Sequence, residues 1–154
     1  MKKLSIYLDT SVLNFYLAED DPAKKDITVR FFQEMEAGTF EVYISTLVVR
    51  EIDAAPEIKR EQLKNLVRRI EPKVLELDAE TEKLAQRYVD VFIIPEKYRN
   101  DAVHIAAAVV NDLDAVISWN LEHMVKMRTR IEVNGINRLE GYHEIEISTP
   151  EEAI

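Results

Sequence analysis

The chain has 154 residues, of which 47% are hydrophobic and 32% charged, a balance typical of a single globular domain. It contains no cysteine, which excludes disulfides, thiolate metal sites and a cysteine nucleophile. Its formal net charge of -9 argues against a broad nucleic-acid-binding surface, because phosphate contacts need basic side chains. The opening apolar run stops at Asp9, too early for a signal peptide, and no run approaches the ~20 apolar residues that span a bilayer. We therefore expect a cytoplasmic protein without membrane contact.

In the first half of the chain, runs of β-forming residues alternate with segments that repeat apolar residues at helical spacing. The run 4–8 predicts a buried strand that ends at Asp9, and Thr10 or Ser11 is placed to cap the helix that follows. Pro22 is placed to open the second helix. The predicted elements are strands at 4–8 and 40–45, and helices at 12–17, 23–36, 46–54 and 58–70.

The second half continues the alternation. The most apolar helix opens at Asn100-Asp101 and runs to about residue 111, just before a strand of the central type. Asn134-Gly135 and Gly141 signal turns, and Thr149-Pro150 begins a short acidic tail. The other predicted elements are a helix at 79–92, strands at 74–77, 115–118 and 144–147, and a helical turn at 120–126. This alternation predicts an α/β protein with a mainly parallel sheet and helices on both faces.

Three acidic residues lie where an open α/β sheet places its sites, beyond the carboxyl ends of the strands. Asp9 directly follows the first predicted strand, and Asp101 opens the helix that leads into strand 115–118. Glu51 is four residues from Leu47, on the apolar side of its short helix, where a carboxylate needs a cation or a basic partner. If the three acids converge, they form a site with unusually concentrated negative charge.

Carboxylates gathered in this way favour a hard divalent cation. Two carboxylates ~4 Å apart repel by ~4 kcal/mol at an effective dielectric of about 20, so they must be partly protonated or bind an ion. Mg²⁺ or Mn²⁺ suits a site made of oxygen ligands. Such an ion would lower the pKa of a water molecule and stabilise the charge that develops as a phosphodiester is cleaved.

Each candidate residue also has an interpretation that needs no metal. Asp9 and Asp101 can act as helix caps, and Glu51 can pair with a lysine or arginine. His104 shares a face with Asp101, but a packed or hydrogen-bonded core position explains it better; His123 fits the surface or the surroundings of the site. The basic residues of helix 58–70 fit a solvated face. Singly, none of these residues defines a function.

Four short motifs together resemble those of PIN-domain proteins, over roughly residues 4–125. They are LDTSVL from Leu8, STLVVREI from Ser45, NDAVHIA from Asn100 and ISWNLEHM from Ile117. The later stretch GYHEIEISTPEE also resembles VapC-type PIN proteins that carry the SWN motif. We therefore expect one PIN-like domain over 1–154, with its core at about 4–125 and a C-terminal extension, including the edge strand, at about 126–154.

The resemblance implies a three-layer α/β/α fold with a mainly parallel central sheet. It also implies that Asp9, Glu51 and Asp101 are the catalytic acids that bind Mg²⁺ or Mn²⁺. Residues that would support the site are Thr10, Ser11, Ser118, His104 and His123. The expected substrate is single-stranded or structured RNA. Many family members are toxins of type II toxin-antitoxin systems, so an antitoxin protein and a homodimer are the expected partners.

The fourth motif departs from the acidic pattern of the family. Many PIN proteins carry an aspartate at the position of Asn120 or three residues later, at the position of His123. Asn120 can ligate a metal through its carbonyl oxygen but brings no charge, and histidine is a poor ligand for Mg²⁺. We therefore expect one metal ion with a water-mediated contact from Asn120. Two functions stay open: a metal-dependent endoribonuclease, and a PIN-fold module that binds nucleic acid or protein with weak or no catalysis.

Overall fold

Five parallel strands form a single sheet in the computed structural model, which describes residues 2–154. The strands are β1 (Leu4–Leu8), β2 (Phe40–Ser45), β3 (Lys73–Leu75), β4 (Ala115–Ile117) and β5 (Glu146–Ser148). Their order across the sheet is β3-β2-β1-β4-β5, and each adjacent pair is parallel. The central position of β1 therefore brings the residue that follows it into the middle of the carboxyl edge.

Helices connect the strands, because a parallel pair needs a crossover over one face of the sheet. The helices are α1 (Thr10–Leu17), α2 (Pro22–Glu36), α3 (Thr46–Asp53), α4 (Glu57–Ile70), α5 (Ala79–Asp90), α6 (Arg99–Val110), α7 (Met127–Leu139) and α8 (Pro150–Ala153). Helices α1 to α4 contact one another, whereas α5 contacts α6 and α7. The expected three-layer α/β/α fold is confirmed. No helix in the described part of the chain is long and apolar enough to cross a membrane.

The core lies on both sides of β1 and β4. Ile6, Tyr7 and Leu8 are at most 1% exposed, and β4 is buried along its whole length. Helix α6 is buried from Ala102 to Val109, because its small alanines let it pack closely between the sheet and α5. A carboxylate at the end of β1 or in the first turn of α6 is therefore surrounded by a rigid, apolar framework.

One predicted helix start near the carboxyl edge is wrong. Thr10 and Ser11 lie inside α1, and the N-cap position belongs to Asp9, whose carboxylate makes no capping hydrogen bond. Residues 120–126 contain the predicted helical turn, in which the N–H of Met124 donates to the backbone carbonyl of Asn120. The side-chain oxygen of Asn120 accepts the backbone N–H of His123, as an N-cap residue does at the start of a helical turn.

One of the two turns predicted near the C-terminus is also wrong. Asn134-Gly135 lies inside α7, because the Asn134 amide reaches across to both backbone groups of Ile145 and so serves tertiary packing. The acidic tail that begins at Thr149-Pro150 forms the short helix α8, which a reciprocal pair of hydrogen bonds between Thr149 and Glu152 caps. The predicted turn at Gly141 is present, with a φ of 85°.

Phe92 follows α5 in a left-handed backbone conformation, with a φ of 64° and a side chain that is 91% exposed. The N–H of Ile93 donates to the carbonyl of Tyr88, a helix ending that favours glycine at position 92. We expect Phe92→Gly to raise the free energy of unfolding by about 1 kcal/mol, because it relieves strain without emptying the core. Thermal unfolding should show a melting temperature higher by roughly 2–4 °C. Phe92→Ala keeps the strain and is the control; a less stable glycine variant would contradict the prediction.

Candidate functional site

The three predicted acids line one pocket at the carboxyl edge of the sheet. Its volume is about 410 Å³, and it lies where β1 leads into α1, beside α3 and the first turn of α6. The predicted site residues that line it are Asp9, Thr10, Ser11, Glu51, Asp101, His104 and Asn120. The topology thus brings together side chains that are far apart in the sequence.

Asp9 is the most deeply placed of the acids, with 4% of its surface exposed. Its Oδ1 accepts a hydrogen bond from Ser11 Oγ at 2.5 Å, and its Oδ2 accepts one from Ser118 Oγ at 2.6 Å. These hydroxyl groups orient the carboxylate without neutralising it. Burial raises the pKa of Asp9, although His104 and the two serines oppose the shift.

Glu51 has a partner, but it is His104 rather than the lysine or arginine considered from the sequence. The Oε1 atom of Glu51 accepts hydrogen bonds from Thr10 Oγ1 at 2.8 Å and from His104 Nε2 at 2.9 Å. Burial favours a higher pKa for Glu51, but the hydrogen bonds that it accepts from His104 and Thr10 help to outweigh burial and lower the pKa. Glu51 is therefore ionised at neutral pH.

Asp101 lies in the first turn of α6 and is half-buried. Burial raises its pKa, and the nearby Asp9 carboxylate adds to the shift, while His104 and His123 oppose it. Asn120 Nδ2 donates to Asp101 Oδ2 at 3.0 Å. The carbonyl oxygen of Asn120 accepts the N–H of His123, so the atom considered as a metal ligand already has a protein partner.

The hydroxyl side chains support the acids, whereas His123 lies outside the pocket. Ser11 Oγ also accepts the N–H of Trp119, and Ser118 Oγ accepts that of Asn120, so both serines link Asp9 to the fourth motif. The ring of His123 stacks on Tyr98 with the ring centroids 4.0 Å apart. Its influence on the site is the electrostatic effect on Asp101.

The donor set fits a hydrated divalent cation. In residues 2–154, no three His, Asp or Glu side chains are grouped closely enough to hold an ion by themselves. The Asp9 carboxylate raises the pKa of Asp101, and neither acid forms an ion pair with a lysine or arginine of the described chain. Mg²⁺ usually binds through one or two carboxylates and keeps several waters, for which the pocket has room.

Sequence reasoning missed three residues at this site. Lys59 and Asn14 line the pocket, and Tyr7 hydrogen-bonds His104 from below it. Lys59 was interpreted as part of a solvated helix face, but α4 begins directly after the short helix that carries Glu51, and that proximity was an available signal. Asn14 lies one helical turn beyond Thr10 and Ser11, which was a similar signal.

The protein is an α/β protein whose parallel sheet has the strand order β3-β2-β1-β4-β5. Its acidic pocket lies at the carboxyl edge of the central strand and is compatible with a bound cation. The family model of the PIN domain matches residues 6–122, and the chain belongs to the PIN domain family.

Ten chains of solved structures also match. One is the crystal structure of VapBC2 from Rickettsia felis bound to a DNA fragment from their promoter. The match has a TM-score of 0.56 and 11% sequence identity, and it covers 95% of this chain and 98% of that chain. At this identity the likeness shows a shared fold. A search of curated proteins finds no match.

Proposed function

We propose that the protein is a metal-dependent endoribonuclease that cleaves single-stranded RNA. The observation that carries the proposal is the shared pocket of Asp9, Glu51 and Asp101. In this pocket the buried Asp9 and the half-buried Asp101 both have raised pKa values and lack a basic partner. Membership of the PIN domain family supports the same reaction class. The chain's negative charge is compatible with it, since a bound cation supplies positive charge where the phosphate binds.

The pocket residues divide the proposed tasks among them. Asp9 and Asp101 offer the ligand oxygens, held in place by Ser11 and Ser118 and by Asn120 respectively. When bound, Mg²⁺ or Mn²⁺ supplies charge neutralisation at the phosphodiester and lowers the pKa of water in the pocket.

Glu51 and Lys59 would act on the reactants. Glu51 is ionised, and its Oε2 atom accepts no hydrogen bond from residues 2–154, so it can orient a water molecule or bind the ion. Lys59 lines the pocket, and its ammonium group would bind a phosphate oxygen of the substrate. With one lysine among the residues that line the pocket, we expect a local RNA contact rather than a broad basic surface.

RNA cleavage tests the proposal directly. A labelled single-stranded RNA is incubated with the protein in Mg²⁺, Mn²⁺ or EDTA, with duplex RNA and single-stranded DNA as comparison substrates. We expect cleavage in either metal, none in EDTA, and a loss of at least about 100-fold in Asp101→Asn, because that change removes a ligand charge. Asp112→Asn is the matched control, since Asp112 is exposed and lies outside the pocket. Cleavage that persists in EDTA or in Asp101→Asn would favour the alternative, a PIN-fold binding module.

A toxin role in a type II toxin-antitoxin system is a further part of the proposal. It is supported by the sequence resemblance to VapC-type proteins with the SWN motif and by the fold shared with the VapBC2 structure. The partners would be a protein antitoxin and a second copy of the chain, and the place of action would be the cytoplasm. Co-expression with the product of a small adjacent gene should give a complex that no longer cleaves RNA. Light scattering would check the dimer.

A further inference from the structure

We propose that Tyr7 is a positioning residue: it fixes the tautomer of His104 through a one-way hydrogen-bond chain and so leaves one oxygen of Glu51 free for a ligand. Only the nature of that ligand rests on the proposed function. The chain of hydrogen bonds is a property of the folded protein, and it can be tested without cleavage or metal.

Four hydrogen bonds connect the start of α3 with Glu51 on the same helix. The N–H of Leu47 donates to Ser45 Oγ at 3.2 Å, and Ser45 Oγ lies 2.7 Å from Tyr7 Oη. Tyr7 Oη lies 2.6 Å from His104 Nδ1, and His104 Nε2 lies 2.9 Å from Glu51 Oε1. Ser45 and Tyr7 are 0% exposed and His104 is 2% exposed, so water cannot replace these partners.

The direction of this series of hydrogen bonds follows from which groups carry a proton and which groups can accept one. Ser45 Oγ accepts the Leu47 N–H. Among residues 2–154, Tyr7 Oη is the acceptor that the hydroxyl proton of Ser45 can reach. Ser45 therefore donates to Tyr7. A phenol has one proton, so Tyr7 donates to His104 Nδ1, which must then be unprotonated.

The ring proton of His104 is consequently on Nε2, from which it donates to Glu51 Oε1. The opposite direction would leave the hydroxyl proton of Ser45 buried without an acceptor. It would also place the bare Nε2 lone pair of a neutral ring against the carboxylate of Glu51. The hydrogen bond at one imidazole nitrogen thus decides what the other nitrogen can do.

The consequence for Glu51 is an asymmetric carboxylate. His104 and Thr10 both donate to Oε1, whereas Oε2 has no hydrogen-bond donor among the described residues and belongs to a side chain that lines the pocket. Strand β1, helix α3 and helix α6 together fix this rotamer. A carboxylate held in this way can offer one defined oxygen to a cation or a water molecule without first reorganising.

Nitrogen-15 NMR of the histidine rings tests the direction of the chain. The protein has three histidines, so a His104→Gln variant identifies the signals of His104. At neutral pH without metal, we expect His104 to show a protonated Nε2 and an unprotonated, hydrogen-bonded Nδ1. In Tyr7→Phe the Nδ1 signal should move towards the position of a free lone pair. A proton on Nδ1 in the unmodified protein would overturn the inference, even if Tyr7→Phe failed to fold.

Metal titration tests the positioning role. We expect Tyr7→Phe to weaken Mn²⁺ binding about 10-fold, as removal of supporting hydrogen bonds around metal ligands commonly does. Tyr88→Phe is the matched control, because it removes an equally buried phenol hydroxyl whose partner is Asn137, far from the pocket. Equal Mn²⁺ affinity for Tyr7→Phe and Tyr88→Phe would overturn the positioning role. If the unmodified protein bound no Mn²⁺, the proposed function would fail, while the histidine spectrum would still decide the chain.

Discussion

Asp9→Asn is expected to abolish metal-dependent RNA cleavage and yet to raise the melting temperature of the metal-free protein at neutral pH. Asp9 is buried and is held by the neutral hydroxyls of Ser11 and Ser118, so its negative charge has no adjacent cation to offset the loss of water. Asparagine keeps the shape of the side chain and removes the charge. The variant therefore gains stability and loses the ligand charge on which the proposed reaction depends.

The stability gain should depend on pH with a definite sign. Burial raises the pKa of folded Asp9 above its value in the unfolded chain, about 3.9. The native protein is then most favoured below that unfolded value, and it loses this contribution as the pH rises through the higher folded pKa. Asparagine does not titrate, so the advantage of Asp9→Asn should be small in acid and grow towards neutral pH. Asp101 contributes a trend of the same sign in both proteins.

Thermal unfolding in EDTA and in Mn²⁺, at several pH values, measures this prediction. For a chain of this length each kcal/mol changes the melting temperature by roughly 2–4 °C. Mn²⁺ should raise the melting temperature of the unmodified protein and leave Asp9→Asn unchanged, because a ligand stabilises only the state that binds it. Asp26→Asn, a matched change at an exposed residue of α2, should follow the unmodified protein throughout. A metal-free Asp9→Asn that is less stable at neutral pH would show that the serine hydrogen bonds outweigh the burial of charge.

Trp119→Ala is expected to lower the free energy of unfolding by about 3–5 kcal/mol, the range for removing a large aromatic side chain from a core. Trp119 is 6% exposed, and its Nε1 donates to Thr28 Oγ1 at 2.9 Å. Its ring packs against Phe15 with the centroids 5.8 Å apart, and Lys24 Nζ lies 5.4 Å from the ring centre. The indole thus packs α1 and α2 against the chain segment that follows β4.

The same substitution should reach the pocket. Trp119 stands between Ser118, which donates to Asp9, and Asn120, which donates to Asp101. The cavity left by alanine would loosen both contacts, and we expect weaker Mn²⁺ binding as well as lower stability. Trp119→Phe keeps most of the packing and should show a smaller loss in both measurements.

Chemical denaturation followed by circular dichroism measures the stability change, since Trp119 is the single tryptophan and its fluorescence is lost in the variants. Phe92→Ala is the control for removal of an aromatic ring, because Phe92 is exposed and its loss should change the free energy of unfolding by at most about 0.5 kcal/mol. Equal unfolding midpoints for Trp119→Ala and Phe92→Ala would refute the prediction.

The α/β alternation was readable in the sequence because strands and helices repeat apolar residues with different periods. The run 4–8 and the stretch 40–45 show that local signal clearly, and both strands have the predicted bounds. The segment 127–139 lacks a clear local signal, because its helix includes Asn134, whose partner lies outside the segment. Asparagine is typical of turns, but the Asn134 side chain hydrogen-bonds the backbone of Ile145 instead of its own backbone and is therefore compatible with a helix.

In the candidate site too, features with a local sequence signal were predictable, and contacts between distant residues were not. The position of Asp9 after a buried strand and the core-facing placement of Glu51 were visible in the sequence, and the structure places both at one pocket. The pairing of Glu51 with His104 and the contact of His104 with Tyr7 were not visible. Those contacts join residues of β1, α3 and α6 that are 53 and 97 positions apart, and no local pattern encodes such pairs.

The register of the last strand bears on when the pocket can form during synthesis. The backbone N–H of Ser118, whose hydroxyl holds Asp9, donates to the carbonyl of Ser148 in β5 at 2.9 Å. A growing chain that still has residues 146–148 inside the ribosomal tunnel lacks this bond and the edge of the sheet beside β4. The proposed nuclease would thus acquire its complete site only after β5 has left the tunnel, later in synthesis than every residue that lines the pocket.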